Sequence, residues 1–224
     1  MVHISCGTVK YLTTGRCRMT AGTTSIVMGT NNLSTDAIEH RQRLFDGMAR
    51  SVAVKGYGSS TIADIVREAS VSRRTFYEHF ATKADCLIAL YEAASHNALK
   101  VLRSSIDPAR GWQTQVEQAM EAYLGCLARS PILMRTLFVE ILGLGAAGLA
   151  ARRRVNQEIA DFMLKVINAR EGRSVMTADM AMAVVGGVNE LVLQAIEQNR
   201  VQDMKSIAAT TGALVRAVAG VAPE

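Results

Sequence analysis

A proline in the interior of a helix costs about 3 kcal/mol relative to alanine, and this chain holds only three prolines in 224 residues. Two of them, Pro108 and Pro131, stand where the helical pattern breaks or opens, and the stretches around them are free to be helical. The other residues point the same way. Ala, Leu, Met, Glu, Gln and Arg are abundant, aromatics make up 5%, and the long Val/Ile/Thr/Tyr alternations of a sheet are missing. With 49% hydrophobic and 20% charged residues, a sizeable core is available and gross disorder is excluded. The expectation is an all-α protein.

Apolar spacing near 3.6 residues starts after Ser34-Thr35-Asp36, with Ile38, Leu44/Phe45, Met48 and Val52 on one face. Lys55-Gly56 reads as the end of this helix, with a cation in the last turn and glycine after it. A second helix is expected over about 61–69, capped by Ser60 or Thr61. Asp64 lies in its first turn, where acids are favoured. A third runs from Ser72 to about Phe80. Thr82 caps a long fourth helix reaching about Leu102, with Asp85 completing a capping box. Beyond Pro108, helices are expected at roughly 111–129, 131–143, 147–171, 178–198 and 203–219, with Thr177 and Asp203 capping the last two.

Residues 1–34 differ from the rest. They are rich in Thr, Ser and Gly, contain Lys10, Arg16 and Arg18, and hold no acid. No amphipathic period of a transit peptide and no secretory apolar core is present. The segment reads as a disordered arm or as a start assigned too early, with Met19 or Met28 as the natural start. Of the cysteines, Cys6, Cys17, Cys86 and Cys126 form no CxxC pair and have no histidine at zinc-ligand spacing, so no metal and no cofactor is expected. Cys86 and Cys126 sit in apolar helical patterns and read as core thiols of a reducing cytoplasm. The most apolar region, 132–151, is broken by Arg135 and Glu140, and no membrane span is expected.

Net charge is +5, which permits a polyanionic partner without requiring one. The placement of the cations says more. In "VSRRTFYEHFATKADCL", Arg73 and Arg74 fall in the first turn of one helix and Lys83 in the first turn of the next. A helix N-terminus carries a partial positive charge, so each cation there costs a few tenths to about 1 kcal/mol. Two short helices joined by a tight turn, the second opening on polar and basic side chains, form a helix-turn-helix pattern. The second helix of that pattern enters the major groove by its N-terminal end. An arginine bidentate to guanine contributes about 1–3 kcal/mol of discrimination, more than the dipole penalty. Double-stranded DNA would resolve the conflict.

The stretch "GYGSSTIADIVREASVSRRTFYEHFATKADCLIALYEA" resembles the DNA-binding domain of TetR-family transcriptional regulators over about residues 36–90. Thr61, Ile65, Val71, Thr75, Tyr77, Phe80 and Lys83 carry the likeness in order and spacing. The resemblance implies an N-terminal three-helix helix-turn-helix domain over 35–82 and a helical ligand-binding and dimerisation domain over 83–224. It implies that Thr61 binds a phosphate and that Ser72, Arg73, Arg74 and Thr75 face the groove. Tyr77 and His79 would reach the backbone or a base, and Lys83 would clamp a further phosphate. Phe76 and Phe80 would belong to the core. The chain departs from the family at Ser70, where the turn usually holds glycine. If that residue needs positive φ, serine costs about 1 kcal/mol.

For the C-terminal half, the resemblance implies that the last two helices pair with those of a second copy. Gly186, Gly187, Ala208, Ala209, Gly212 and Ala213 would permit close approach, although packing within one chain accounts for the same residues. A dimer makes a near-palindromic operator the expected partner. The ligand pocket would lie between helices 4 and 8. Its candidate lining is Leu99, Met120, Tyr123, Leu124, Leu127 and Met134, with Phe138, Phe162, Met163, Val166 and Val188. Asn189 and Glu190 could supply a polar contact. Such a lining favours a small apolar effector. Arg152-Arg153-Arg154 reads as a solvated or interface face.

No Ser/His/Asp elbow, phosphate-binding glycine loop or HExxH is present, and His3, His40, His79 and His96 are scattered, so an enzyme is not expected. The leading reading is a cytoplasmic, dimeric DNA-binding regulator, a repressor released by its effector. A DNA-binding dimer without effector, and a helical lipid-binding protein, are the alternatives.

Overall fold

The computed structural model describes residues 30–106, 112–171 and 175–219. The expected arm therefore lies, up to residue 29, outside the described residues, together with Cys6 and Cys17. The described residues form α-helices and short 3-10 turns. Four helices build the N-terminal part: α1 (Thr30–Ser59), α2 (Ile62–Ala69), α3 (Arg73–His79) and α4 (Lys83–Ser104). Five more follow: α5 (Trp112–Ala128), α6 (Pro131–Phe138), α7 (Ala146–Glu171), α8 (Ala178–Glu197) and α9 (Met204–Val218).

Most boundaries fall within a residue or two of those read from the caps; three differ for physical reasons. Helix α1 opens at Thr30 rather than after Asp36. Ser, Thr and Asp cost only tenths of a kcal/mol inside an exposed helix, so a capping residue need not cap. Ile38 is 71% exposed, and the buried stripe begins only at Leu44. The helix expected over 131–143 ends at Phe138 and continues as a 3-10 turn over Glu140–Leu144, closed by Gly145 at φ 59°. Asp203 makes no capping bond; its backbone is not extended, and its carboxylate takes Arg200 at 3.4 Å instead.

Two packed cores result. The first joins Leu44, Phe45, Met48 and Val52 of α1 to Ile65, Val66, Phe76 and Phe80, and to Cys86, Leu87 and Leu90 of α4. The second starts one residue later, at Tyr91, and gathers the rest of α4 with α5–α9. The change of core thus falls inside α4. One stiff helix belongs to both. Cys86 is fully buried, as its pattern suggested, and burial pushes its thiol up to about 12. Cys126 is half-buried.

The α1–α2 crossing is tight because of Gly47. A Cβ there would meet the Ile65 carbonyl at 2.6 Å and the Ala69 Cβ at 2.8 Å. Helix α8 is long and apolar enough, by length and composition, to cross a membrane. In this fold it packs against α6, α7 and α9. Ala208 and Gly212 of α9 are buried within the chain, Gly212 against Glu117 of α5, whereas Gly186, Ala209 and Ala213 face outward.

Candidate functional site

The turn between α2 and α3 forms as its residues require. Ser70 adopts φ 53°, ψ 44°, the left-handed conformation that glycine adopts without strain. The Ser70 amide donates to the Arg67 carbonyl (3.2 Å) and the Val71 amide to that of Val66 (3.1 Å), which closes α2 in a Schellman motif. Ser72 then caps α3, its hydroxyl accepting from the Thr75 amide at 2.9 Å. Phe76 is fully buried and Phe80 nearly so, which anchors one face of α3 and turns the other outward.

That outward face carries Ser72, Arg73, Arg74 and Tyr77, all exposed. Tyr77 leaves 54% of its surface in solvent, an unusual exposure for a large ring. Arg74 is paired with Glu78 one turn on, at 3.0 Å, on an open surface where such a pair is readily exchanged for a phosphate. Thr75 is half-buried, with its hydroxyl 2.9 Å from that of Ser72. His79 leans back on α1. Its ring stands edge-on to His40 with centroids 6.5 Å apart, and burial, then the nearby His40 and Arg41, hold it below its ordinary value. It is therefore neutral at pH 7 and adds no cation to the face.

Thr61 and Lys83 have other work. Thr61 caps α2 in a reciprocal box with Asp64: its hydroxyl and its amide both donate to Asp64 Oδ2, at 2.8 and 3.0 Å. Asp64 also accepts from Lys55 at 2.6 Å and Arg67 at 2.9 Å. The Lys55 contact, followed by the Thr61 bonds, holds its carboxyl far below the usual range. The Lys83 ammonium, expected on a phosphate, instead donates to the carbonyls of Tyr57 (3.0 Å), Gly58 (3.3 Å) and Ser60 (2.8 Å). It also lies 4.4 Å from the centroid of the Tyr57 ring. An ammonium has three donors, and all three are satisfied inside the protein. These carbonyls turn outward because Gly56 breaks α1 at φ 72°, ψ 161°, a conformation essentially confined to glycine. Lys83 is thus compensated by the end of α1 and Arg74 by Glu78, and of the three cations only Arg73 has no acid partner among the described residues.

The second candidate site is an apolar cavity among α4, α5, α7, α8 and α9, with about 670 Å³ of unfilled space, its mouth included. Met120, Tyr123, Phe162, Met163, Val166, Val188 and Asn189 line it. Leu127 and Phe138 line a smaller adjoining space. Leu99, Leu124 and Met134 do not line either one; they are buried in the packed core. Helical period assigns a residue to the inner face of a helix but cannot tell whether a neighbour or a void lies opposite. The same limit hid Leu102, Ile106, Val116, Ile159, Val185 and Val215, which do line the main cavity. Glu190 is exposed on the other side of α8.

The helix-turn-helix and cavity-bearing parts touch through more than α4. Glu140, in the 3-10 turn after α6, accepts from the Tyr57 amide at 2.9 Å. Tyr57 is the residue whose carbonyl and ring hold Lys83.

Residues 44–90 match the family model for bacterial regulatory proteins of the tetR family, a span that ends where the first core ends. The HTH-type transcriptional regulator SrpR of Pseudomonas putida is 28% identical over 138 residues, covering 60% of this chain and 61% of SrpR. YxbF of Bacillus subtilis (strain 168), an HTH-type transcriptional regulator, is 29% identical over 77 residues, 34% of this chain and 20% of YxbF. The matches thus span less than two thirds of either relative. Among solved structures, the transcriptional regulator FadR from Bacillus subtilis, in complex with stearoyl-CoA, superposes with a TM-score of 0.64 at 17% identity. That superposition covers 77% of this chain and 96% of FadR. With the helix-turn-helix geometry, the match over residues 44–90 makes this part of the chain a tetR-type regulatory-protein domain, and the likeness to solved structures shows a shared all-α fold.

Proposed function

We propose that the chain is a cytoplasmic, homodimeric repressor that leaves a near-palindromic operator when a small apolar molecule fills its C-terminal cavity. The observation that carries this reading is the coexistence, on one chain, of an exposed Arg73/Arg74/Tyr77 face and an apolar cavity, joined by the shared helix α4. Stearoyl-CoA in the structurally similar FadR supports an apolar effector. The outward small residues Gly186, Ala209 and Ala213 support a second copy packed on α8 and α9. The cavity disfavours the effector-free alternative.

An effector acts only through its differential affinity for the two states. A ligand that widens the cavity near Phe138 and Leu137 bears on α6, and through Glu140 on the end of α1. The two half-site helices of a dimer would then lose the spacing of successive major grooves.

The test is fluorescence anisotropy on DNA from immediately upstream of the protein's own gene, across a salt series. Arg73→Ala/Arg74→Ala should lose selective binding, at about 1–3 kcal/mol per lost bidentate contact, while thermal stability stays within about 0.5 kcal/mol. Effector should lower operator affinity, and operator should lower effector affinity by the same factor. Tight effector binding that leaves DNA affinity unchanged would overturn the mechanism.

A further inference from the structure

The three consecutive arginines 152–154 were expected to share one solvated or interface face, and the fold separates them. Arg153 is exposed, and Arg154 is paired with Glu92 of α4 at 2.6 Å. Arg152 is half-buried and lines the smaller space that adjoins the apolar cavity. Successive residues of a helix are about 100° apart, so three arginines in a row cannot share a face.

Arg152 has no carboxylate partner among the described residues. Two acids of α4 and α7 are paired with other residues: Glu92 with Arg154, and Glu158 with His96 at 3.1 Å. A guanidinium presents five donors and cannot shed its charge, so a half-buried one without an anion is unfavourable. The groups around it are also polar, and of these the Tyr91 hydroxyl is already hydrogen-bonded to Ser95. Tyr91, Ser95 and Asn156 line the same space. Asn189 Nδ2 donates to Asn156 Oδ1 at 3.1 Å, which leaves the Asn156 amide nitrogen without a partner among the described residues. Burial keeps the Tyr91 hydroxyl protonated, with its titration pushed up to about 12, so it remains a donor at any physiological pH. Tyr123, Ile159 and Asn189 line both spaces, so the smaller space, with Arg152 and Asn156 in its wall, lies directly beside the apolar one.

We propose that the effector is an amphiphile with an anionic head, its apolar body in the larger cavity and its head held by Arg152 with Asn156 and Tyr91 at hand. This rests on the larger cavity being the effector site. It adds the charge of the ligand, which an apolar lining alone leaves open. Arg152 would form a charge-assisted, two-pronged contact, the strongest recognition available to a carboxylate in a partly desolvated site.

The experiment is calorimetric titration of the full-length protein with three probes of one chain length: dodecanoate, dodecanol and dodecyltrimethylammonium. Wild type, Arg152→Gln and Arg152→Lys are compared, with circular dichroism confirming that each variant is folded. Dodecanoate should bind at least about tenfold more tightly than dodecanol, and the cation should bind worst. Arg152→Gln should erase the preference for the carboxylate while leaving dodecanol affinity within about twofold, and Arg152→Lys should keep part of it. Equal affinity for dodecanoate and dodecanol, or a variant that weakens both alike, would overturn the anionic head while leaving the cavity as an effector site. Failure of all three probes to bind would overturn the cavity reading and this proposal with it.

Discussion

The two cores of this chain solve opposite problems. Around α1–α3 the charged groups that face the core are tied down, although the Ser51 hydroxyl is buried with no partner among the described residues. Asp64 accepts from three residues, Lys83 donates to three carbonyls, and Phe45, Phe76 and Phe80 form a ring cluster with centroids 5.9 Å apart along each contact. Around α5–α9 the packing leaves a cavity and an arginine with no acid partner among the described residues. A surface that must fit the grooves of DNA needs its side chains held to within a fraction of an ångström. A site that admits a ligand must instead forgo contacts until the ligand supplies them. The proposed function would use rigidity here and incompleteness there, and α4 passes between them.

That contrast can be broken by mutation. Phe76→Ala removes a ring with no solvent exposure and should cost about 3–5 kcal/mol, whereas Phe162→Ala only enlarges an existing cavity and should cost clearly less. Urea denaturation of both variants measures the difference, and equal losses would mean that the cavity is closed in solution.

Lys83 sharpens the comparison. As a structural clamp, Lys83→Met should destabilise the N-terminal part by about 1.5–3 kcal/mol, the range for hydrogen bonds to a charged group. The salt dependence of DNA binding by the folded variant should not change. A slope reduced by about one unit would restore the phosphate contact expected from the sequence.

Asp64 makes the first core sensitive to acid. Its folded-state titration lies below its unfolded one, so its stabilisation is complete above the unfolded value of about 4 and is lost as pH falls toward the folded value. Asp64→Asn should lower the melting temperature at pH 7 and flatten its decline between about pH 4 and pH 2. A decline as steep as that of the wild type would assign the acid sensitivity to other groups.

The smallest effect should have the opposite sign. Ser70→Gly relieves a left-handed backbone and should stabilise the chain by up to about 1 kcal/mol. Because the substitution leaves α3 in place, operator affinity should be unchanged.

Local rules reached far into the first core and less far into the second. The capping boxes at Thr61–Asp64 and Thr82–Asp85, the Ser72 cap, the buried Phe76 and the outward Arg73 and Arg74 all follow from residues three or four apart, which a helix brings together whatever surrounds it. The helical periods likewise settled the all-α class. What the tertiary fold decided depends on residues far apart in the chain. Lys83 meets Tyr57 and Ser60 across 26 and 23 positions, Glu140 meets Tyr57 across 83, and Arg154 finds Glu92 across 62 while Arg152 finds no acid. An amphipathic pattern gives the direction in which a side chain points. Whether it meets a carbonyl, a carboxylate, another side chain or empty space is set by the element that packs opposite, and no local spacing encodes that.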